Sequence, residues 1–354
     1  MGVSGGVDSS VSLALLKDQG YDVTGVFIKV WYPDWISSGC DWRAERRDAM
    51  RVCAHLNVPF ITLDLEDTYK TEVVDYLIET YKTGQTPNPD IMCNRYVKFG
   101  SFWDFAKEQG ADFIATGHYA QNQVLGTRGQ VLGIAQDTDK DQTYFLYTLT
   151  QQDLKHVLFP IGNLEKKDVR KLAESYGLST ATKKDSQGLC FLGDVSIKDL
   201  LEHYVELKKG NVLNEQGDIV GEHDGALLYT HGQRHGFRLH NKETESVSQY
   251  VVSKNIDVNT ITVSDKQNKK DAQDVRSLTL SDFTYTTSDK PKGTMSARVR
   301  YRGVLYPCKL KESHKKDCVE VIFETDISQE YPAPGQSVVL YKDNICLGGG
   351  IITE

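Results

Sequence analysis

The chain has 354 residues, more than a single hydrophobic core usually organises, so two or three domains are expected. With 39% hydrophobic and 25% charged residues it reads as a globular protein, and no stretch approaches the roughly eighteen apolar residues of a membrane span. A net charge of −8 argues against a uniformly basic nucleic-acid binder while allowing local basic patches; seven cysteines without a CxxC pair argue against a disulfide framework or a structural zinc site and favour a reducing, cytoplasmic compartment.

The first predicted element is a glycine loop running into a helix, SGGVDSSVSLALLKDQG (4–20). Gly5 and Gly6 permit positive φ and close backbone approach, Asp8, Ser9 and Ser10 are good N-terminal caps, and Gly20 ends the helix. Unpaired N–H groups and the helix dipole then suit an anion. The loop lacks the lysine of a Walker A sequence and the spacing of GxGxxG, so the bland reading of a glycine turn plus a cap stands beside a phosphate site.

Strands and amphipathic helices alternate up to about residue 193. VTGVFIKVW (23–31) predicts a buried parallel strand, and RAERRDAMRVCAHL (43–56) a helix with Ala49, Met50, Val52, Cys53 and Leu56 on one face. VPFITLDL (58–65) predicts a strand, YKTEVVDYLIETYK (69–82) a helix, NRYVKFGSFWDFAKEQG (94–110) a helix, ADFIATGHY (111–119) a strand and EKKDVRKLAESYG (165–177) a helix. This alternation predicts an α/β fold with a doubly wound, mainly parallel sheet whose ligand site lies at the carboxyl ends of the strands. Beyond about residue 205 glycine punctuates short polar segments. SARVRYRG, CVEVIFE and QSVVLYKDNICLGGGIIT then alternate with period two, predicting a small central domain and a C-terminal antiparallel β-barrel. Domain limits of 1–204, 205–270 and 271–354 are expected, with SDKQNKKDAQD (264–274) as the linker.

Two cysteines have settings that suit reactivity. Cys93 follows the stiff loop TPNPDIMCN (86–94), three residues after Asp90, and a helix predicted to start near Asn94 would stabilise its thiolate. Cys190 lies in KKDSQGLCF (183–191), where Lys183 and Lys184 would favour an anionic sulfur. A lone cysteine is more often a buried small hydrophobe, but the polar, loop-forming neighbours of Cys93 predict exposure, whereas Cys190 alone reads as a surface turn leading into a buried edge. Arg298, Arg300 and Arg302 alternate as if on one strand face, a row suited to phosphates or an ordinary solvated face; with Lys183, Lys184 and Arg234 they form the candidate basic footprint.

SGGVDSS, GVFIKVW, TPNPDIMCN, ATGHYA, KDQTYFL, KKDSQGLCF, GQRHG, RVRYRG and PGQSVVLY together resemble the bacterial tRNA-specific 2-thiouridylase family, within the PP-loop ATP pyrophosphatases, over nearly the full length. The resemblance implies ATP-dependent replacement of the 2-oxygen of the wobble uridine of tRNA (those for Lys, Glu and Gln) by sulfur. The uracil oxygen is adenylated, and sulfur delivered by a persulfide-donating relay protein or cysteine desulfurase is transferred. By that resemblance Gly2, Val3, Ser4, Gly5, Gly6, Val7, Asp8 and Ser9 bind the ATP phosphates, with Ile28 and Gly117 completing the nucleotide pocket. Asp8 is implied as a holder of Mg²⁺, which favours one or two carboxylates plus phosphate oxygens. Cys190 is implied to carry the persulfide, Cys93 to release its sulfur as hydrosulfide or through a Cys93–Cys190 disulfide, and Asp90 to act as acid/base. Asn88, Pro89 and Asp90 would face the base; His118, Lys140, Asp141, Gln142, Arg300, Tyr301 and Gln336 would touch tRNA. The family's first, central strand has no counterpart before SGGVDSS, so that strand is expected to be missing. The rival readings are a PP-loop ligase, which needs no paired cysteines, and a non-catalytic tRNA-binding or sulfur-carrier protein.

Overall fold

The structure is a computed structural model and describes residues 1–35, 42–126, 129–184, 196–240, 248–265 and 274–353. The amino-terminal part follows the predicted alternation. Helix α1 is Val7–Asp18, β1 Gly25–Lys29, α2 Trp42–His55 and β2 Phe60–Asp64. A continuous helical rod follows, made of α3 (Glu66–Tyr69), a π-helix (Lys70–Asp75) and α4 (Tyr76–Lys82). A second rod joins α5 (Pro89–Met92), a π-helix (Cys93–Ser101) and α6 (Phe102–Glu108). Next come β3 (Ile114–Ala115), the hairpin β4 (Gln121–Val124) and β5 (Gln130–Gly133), α7 (Gln151–Leu154), β6 (Val157–Leu158), α8 (Lys166–Ser175) and α9 (Ile197–Glu202). In α2 the predicted face holds for Ala49, Val52 and Cys53, whereas Met50 points outward.

β1 pairs parallel with β2, and β3 parallel with β6. The slot between these pairs, whose strand was expected to be missing, is filled by Met1–Val3. The Gly2 N–H donates to the Ala115 carbonyl at 2.9 Å, Val3 N–H to Val26 O and Val26 N–H to Met1 O, both at 2.8 Å. Three residues therefore complete the parallel sheet at its centre, where unpaired backbone groups would be costly. Val3, Val7, Val11 and Leu13 bury in one core with Phe27, Val52 and Val169.

The segment after α9 forms a five-stranded sheet that the sequence did not reveal. β7 (Gly210–Leu213), β8 (Ile219–His223), β9 (Arg238–Leu239), β10 (Gln249–Asn255) and β11 (Thr260–Asp265) run in the order β10-β11-β7-β8-β9 around Val212, Tyr229, Val251 and Ile261. Most of the predicted linker, 266–273, lies outside the described residues.

The C-terminal strands are β12 (Ser277–Tyr285), β13 (Met295–Arg298), β14 (Tyr306–Glu312), β15 (Val319–Phe323), β16 (Ser337–Lys342) and β17 (Ile345–Ile352). They close an antiparallel barrel through β12–β17 pairing. The β16–β17 turn has φ of 51° at Asp343 and 62° at Asn344, the residues that tolerate the left-handed turn a two-residue hairpin needs. Hairpin β4–β5 adds to β17, so the amino-terminal part shares a sheet with the barrel.

One expected row is corrected. β13 ends at Arg298, the chain turns, and Arg302 adopts φ +58°, so Arg298, Arg300 and Arg302 do not share a strand face. Arg298 pairs with the buried Asp141 at 3.3 Å and Arg300 with Glu330 at 3.1 Å, while the Arg302 guanidinium lies over Tyr301.

Candidate active site

A cavity of about 320 Å³ opens at the carboxyl ends of the central strands. It is lined by Gly2, Val3, Ser4, Asp8 and Ser9 from the opening loop, Ile28 after β1, Thr116, Gly117 and His118 after β3, and Cys93 and Lys98 from the second helical rod. This is where an open α/β sheet binds its ligands.

The glycine loop works differently from its expected capping. α1 begins at Val7 with Gly6 as its N-cap and no side-chain cap. The Ser9 and Ser10 hydroxyls donate backwards to the Gly6 carbonyl at 3.1 and 2.7 Å, and Ser12 to the Asp8 carbonyl at 2.8 Å. By contrast, the short helices α7 and α9 carry full capping boxes, Thr150 with Asp153 and Ser196 with Asp199. Without a side-chain cap, the first N–H groups of α1 remain for a ligand from outside, as an anion site requires. Gly5 has φ +77°, and a Cβ there would sit 2.5 Å from the Glu45 carbonyl. A Cβ on Gly117 would sit 2.7 Å from the Ser9 nitrogen, so only glycine lets the end of β3 touch the helix start. Gly5, Gly6 and Val7 build the loop without lining the cavity; Val7 is core.

Asp8 is firmly held. Lys166 Nζ donates to its Oδ1 and Oδ2 at 2.7 and 2.9 Å, and the Tyr119 hydroxyl to Oδ1 at 2.9 Å. Among these contacts Oδ2 receives one donor, which leaves it an acceptor position for a magnesium ion carried by phosphates. No group of three or more His, Cys, Asp or Glu among the described residues could hold a metal unaided.

Cys93, expected to be exposed, is instead buried at 4% exposure; it is not in a disulfide and lines the cavity. Its place corrects the predicted helix start. Asn88 caps α5, accepting from Ile91 N–H at 3.4 Å, and Pro89 occupies the first turn. Cys93 N–H bonds to carbonyls of Pro89 and Asp90, so the thiol stands one turn into the rod and not at its free N-terminus. It opens the nine-residue π-helix, a wide turn often found at functional sites. Asp90 lies one turn before it, and Asn88, Pro89 and Asp90 do not line the cavity. Lys98, from the same π-helix, brings a cation into the cavity that the sequence did not single out.

Cys190 lies outside the described residues, six positions after Lys184. Lys183 is anchored at the opening loop, its Nζ donating to the Gly5 carbonyl at 3.1 Å and Asp48 at 2.8 Å, so its ammonium serves that junction first. Burial raises the pKa of neighbouring Glu45, against the lowering pull of Lys183.

The residues implied to touch tRNA divide into groups. His118 lines the cavity, buried, with Nδ1 2.7 Å from Thr116 Oγ1, and burial helped by Lys98 pushes its pKa well below the usual 6.5. Gln142 lines it too, its side-chain oxygen accepting from Tyr119 N–H at 2.9 Å. Asp141 is buried: at 2% exposure it accepts from Ala135 N–H and Thr143 Oγ1 at 3.0 and 2.7 Å and faces Arg298. Tyr301 packs against Phe145 with ring centroids 4.5 Å apart. Lys140, Arg300 and Gln336 stand away from the cavity lining, with Lys140 and Gln336 half-buried. Sequence reasoning did not single out Lys166, Lys98 or Tyr119, nor Trp31, which also lines the cavity.

Comparison with known proteins agrees with this geometry. Residues 1–194 match the family described as tRNA methyl transferase HUP domain, 198–265 the tRNA methyl transferase PRC-barrel domain and 275–352 the aminomethyltransferase beta-barrel domain. The tRNA-specific 2-thiouridylase MnmA of Francisella philomiragia is 41% identical over 99% of this chain and 98% of its own length. That of Francisella tularensis subsp. tularensis is 40% identical over the same shares. The U34-tRNA thiolase NcsA from Methanococcus maripaludis, a solved structure with a [4Fe-4S] cluster, is 19% identical with a TM-score of 0.34, covering 57% of this chain and 61% of that one, and adds nothing to the assignment. A glycine loop with an uncapped helix start, a cysteine in the same cavity and full-length likeness converge: the chain belongs to the tRNA-specific 2-thiouridylase family.

Proposed function

We propose that the protein catalyses ATP-dependent 2-thiolation of the wobble uridine of tRNA. The observation that carries this reading is that the Cys93 thiol lines one cavity with the glycine loop Gly2–Ser4, Asp8, Ser9 and Gly117. ATP is bound with its phosphates at the start of α1; Asp8 would help hold a magnesium ion carried by those phosphates, which would spread the charge on the departing pyrophosphate. The uracil 2-oxygen attacks the α-phosphorus, pyrophosphate leaves, and the oxygen becomes part of an AMP leaving group. The terminal sulfur of a Cys190 persulfide adds at C2 and AMP departs. Cys93 then cleaves the persulfide S–S bond by forming a Cys93–Cys190 disulfide, which an external thiol reduces before the next turnover. Alternatively, Cys93 frees the sulfur earlier as hydrosulfide. Lys98 in the same cavity favours the anionic sulfur, and Asp90, one turn ahead of Cys93, manages the proton.

Reach supports the second cysteine. Lys183 touches the glycine loop, and six residues from Lys184 span at most about 20 Å, enough to bring Cys190 to the cavity. An anticodon loop presents an unstacked base more cheaply than a duplex. The proposed partners are tRNAs for Lys, Glu and Gln and a persulfide-donating relay protein. Incubation with ATP, Mg²⁺, sulfide and unmodified tRNA, then nucleoside mass analysis, tests the reading. Replacement of one oxygen by sulfur at the wobble uridine is expected, against addition of a methyl group, which the name of the matched family would suggest. Full activity with the physiological persulfide donor in both Cys93→Ala and Cys190→Ala sinks the cysteine roles, and pyrophosphate release without tRNA thiolation sinks the substrate.

A further inference from the structure

We propose that Lys166 is the resident counter-ion of Asp8 and thereby sets how far the phosphate loop depends on a divalent metal. It rests on the reading of the loop as the ATP phosphate site. Asp8 stands in the first turn of α1, where its carboxylate lines the cavity. A negative side chain there favours the helix but repels a triphosphate or pyrophosphate a few ångströms away. Lys166 answers that charge from the start of α8, its ammonium shared between both carboxylate oxygens at 2.7 and 2.9 Å and only 13% exposed. Its own helix start is fixed, because its backbone N–H donates to Asp137 Oδ2 at 2.9 Å. α1 and α8 also share a core through Val11, Val169 and Ala173. The ammonium is therefore placed by a rigid helix pair. Lys166 does not itself line the cavity, so it acts as a positioning residue through Asp8. With it in place the loop offers the phosphates N–H groups and a neutralised acid; without it, Asp8 must be neutralised by magnesium.

Calorimetric titration of inorganic pyrophosphate into the full chain, with EDTA and then with Mg²⁺, tests this in the parent, Lys166→Met, Lys166→Arg, Asp8→Asn and Asp8→Asn/Lys166→Met. Lys166→Met is expected to lose metal-free affinity by about tenfold or more and to regain most of it with Mg²⁺. Lys166→Arg should stay near the parent, and the double variant should recover metal-free binding because no acid is left uncompensated. If Lys166→Met does not fold, the Asp8→Asn background carries the test: with no acid left to compensate, Asp8→Asn and the double variant should bind metal-free pyrophosphate about equally. Equal metal-free affinity in the parent and Lys166→Met, or a double variant that binds metal-free pyrophosphate much more weakly than Asp8→Asn, overturns the inference while leaving the ATP reading intact. A parent that binds neither pyrophosphate nor ATP overturns both.

Discussion

Replacing Arg298 with methionine tests whether Asp141 holds the barrel to the parallel-sheet domain. The Asp141 carboxylate is 1% exposed and Arg298 15%, with Nη1 to Oδ2 at 3.3 Å and the guanidinium over the Tyr341 ring. Methionine fills a similar volume but leaves a buried carboxylate facing no cation. The Ala135 N–H and the Thr143 hydroxyl remain as partners. Removing one member of a buried pair costs about 3–5 kcal/mol, a large part of the roughly 5–15 kcal/mol that holds a domain folded. The pH dependence separates charge from packing. Burial raises the Asp141 pKa above its ordinary 3.8, and Ala135, Thr143 and Arg298 pull it back. A folded-state pKa above the unfolded one means that the stabilising contribution is complete below the unfolded pKa and is lost as pH rises through the folded one. Taking away Arg298 raises the folded pKa further, so the penalty must be largest at neutral pH and shrink as Asp141 becomes protonated. Urea unfolding at neutral pH and near the lower end of the variant's stable range measures both values. Asp141→Asn/Arg298→Met should recover most of the loss. A penalty below about 1 kcal/mol that does not change with pH would refute the anchor.

Gly117→Ala puts a methyl carbon 2.7 Å from the Ser9 nitrogen and forces the end of β3 off the start of α1; a displacement near 1 Å costs about a hundredfold in turnover, read as ATP-dependent thiolation with unchanged far-UV circular dichroism. His118 is held neutral by burial and by Lys98, so its contribution to stability is complete above pH 6.5 and is lost as pH falls through its lowered folded pKa; its imidazole NMR signals should show no titration near 6.5. Gly335→Ala strains a residue at φ +90° and drives a Cβ to 2.8 Å from the Thr86 carbonyl. The left-handed backbone alone costs about 1–2 kcal/mol, and thermal unfolding should shift accordingly; an unchanged melting temperature would show that this junction yields freely.

The parallel sheet was legible because β-branched runs and amphipathic helices each repeat with their own period, as in GVFIK and in the buried stripe Ala49, Val52 and Cys53. The central strand was not, because three residues carry no period; Met1–Val3 are recognised only by hydrogen bonds to strands on both sides. The five-stranded sheet between residues 210 and 265 escaped for a related reason, its strands being short, polar on one side and separated by glycine turns. At the site, the loop, Cys93, Ile28 and Gly117 could be named from contiguous strings. Lys166 could not, since it meets Asp8 across 158 positions, and nothing in EKKDVRK says which lysine turns inward. The arginine row failed because alternation in RVRYRG was read as strand, whereas the backbone turns after Arg298 and a left-handed Arg302 breaks the period.

Thr86 explains how these separate pieces bear on one thiol. Its N–H donates to the Pro334 carbonyl of the barrel at 2.8 Å, and its hydroxyl lies 3.0 Å from that of Thr230 in the segment leading to Gly232–Gly236. Two residues later Asn88 caps the helix that carries Asp90 and Cys93. The cysteine loop is thus tied at one residue to both of the units that follow the parallel-sheet domain, while the Cys93 end of the rod packs against Leu200 and Leu201 of α9. A substrate that moved either unit would have to move Thr86, and the capped helix start lies too close along the chain to absorb that shift. A thiol placed beyond such a junction has a position that depends on all three parts of the chain, which under the proposed function would couple Cys93 to the seating of the tRNA.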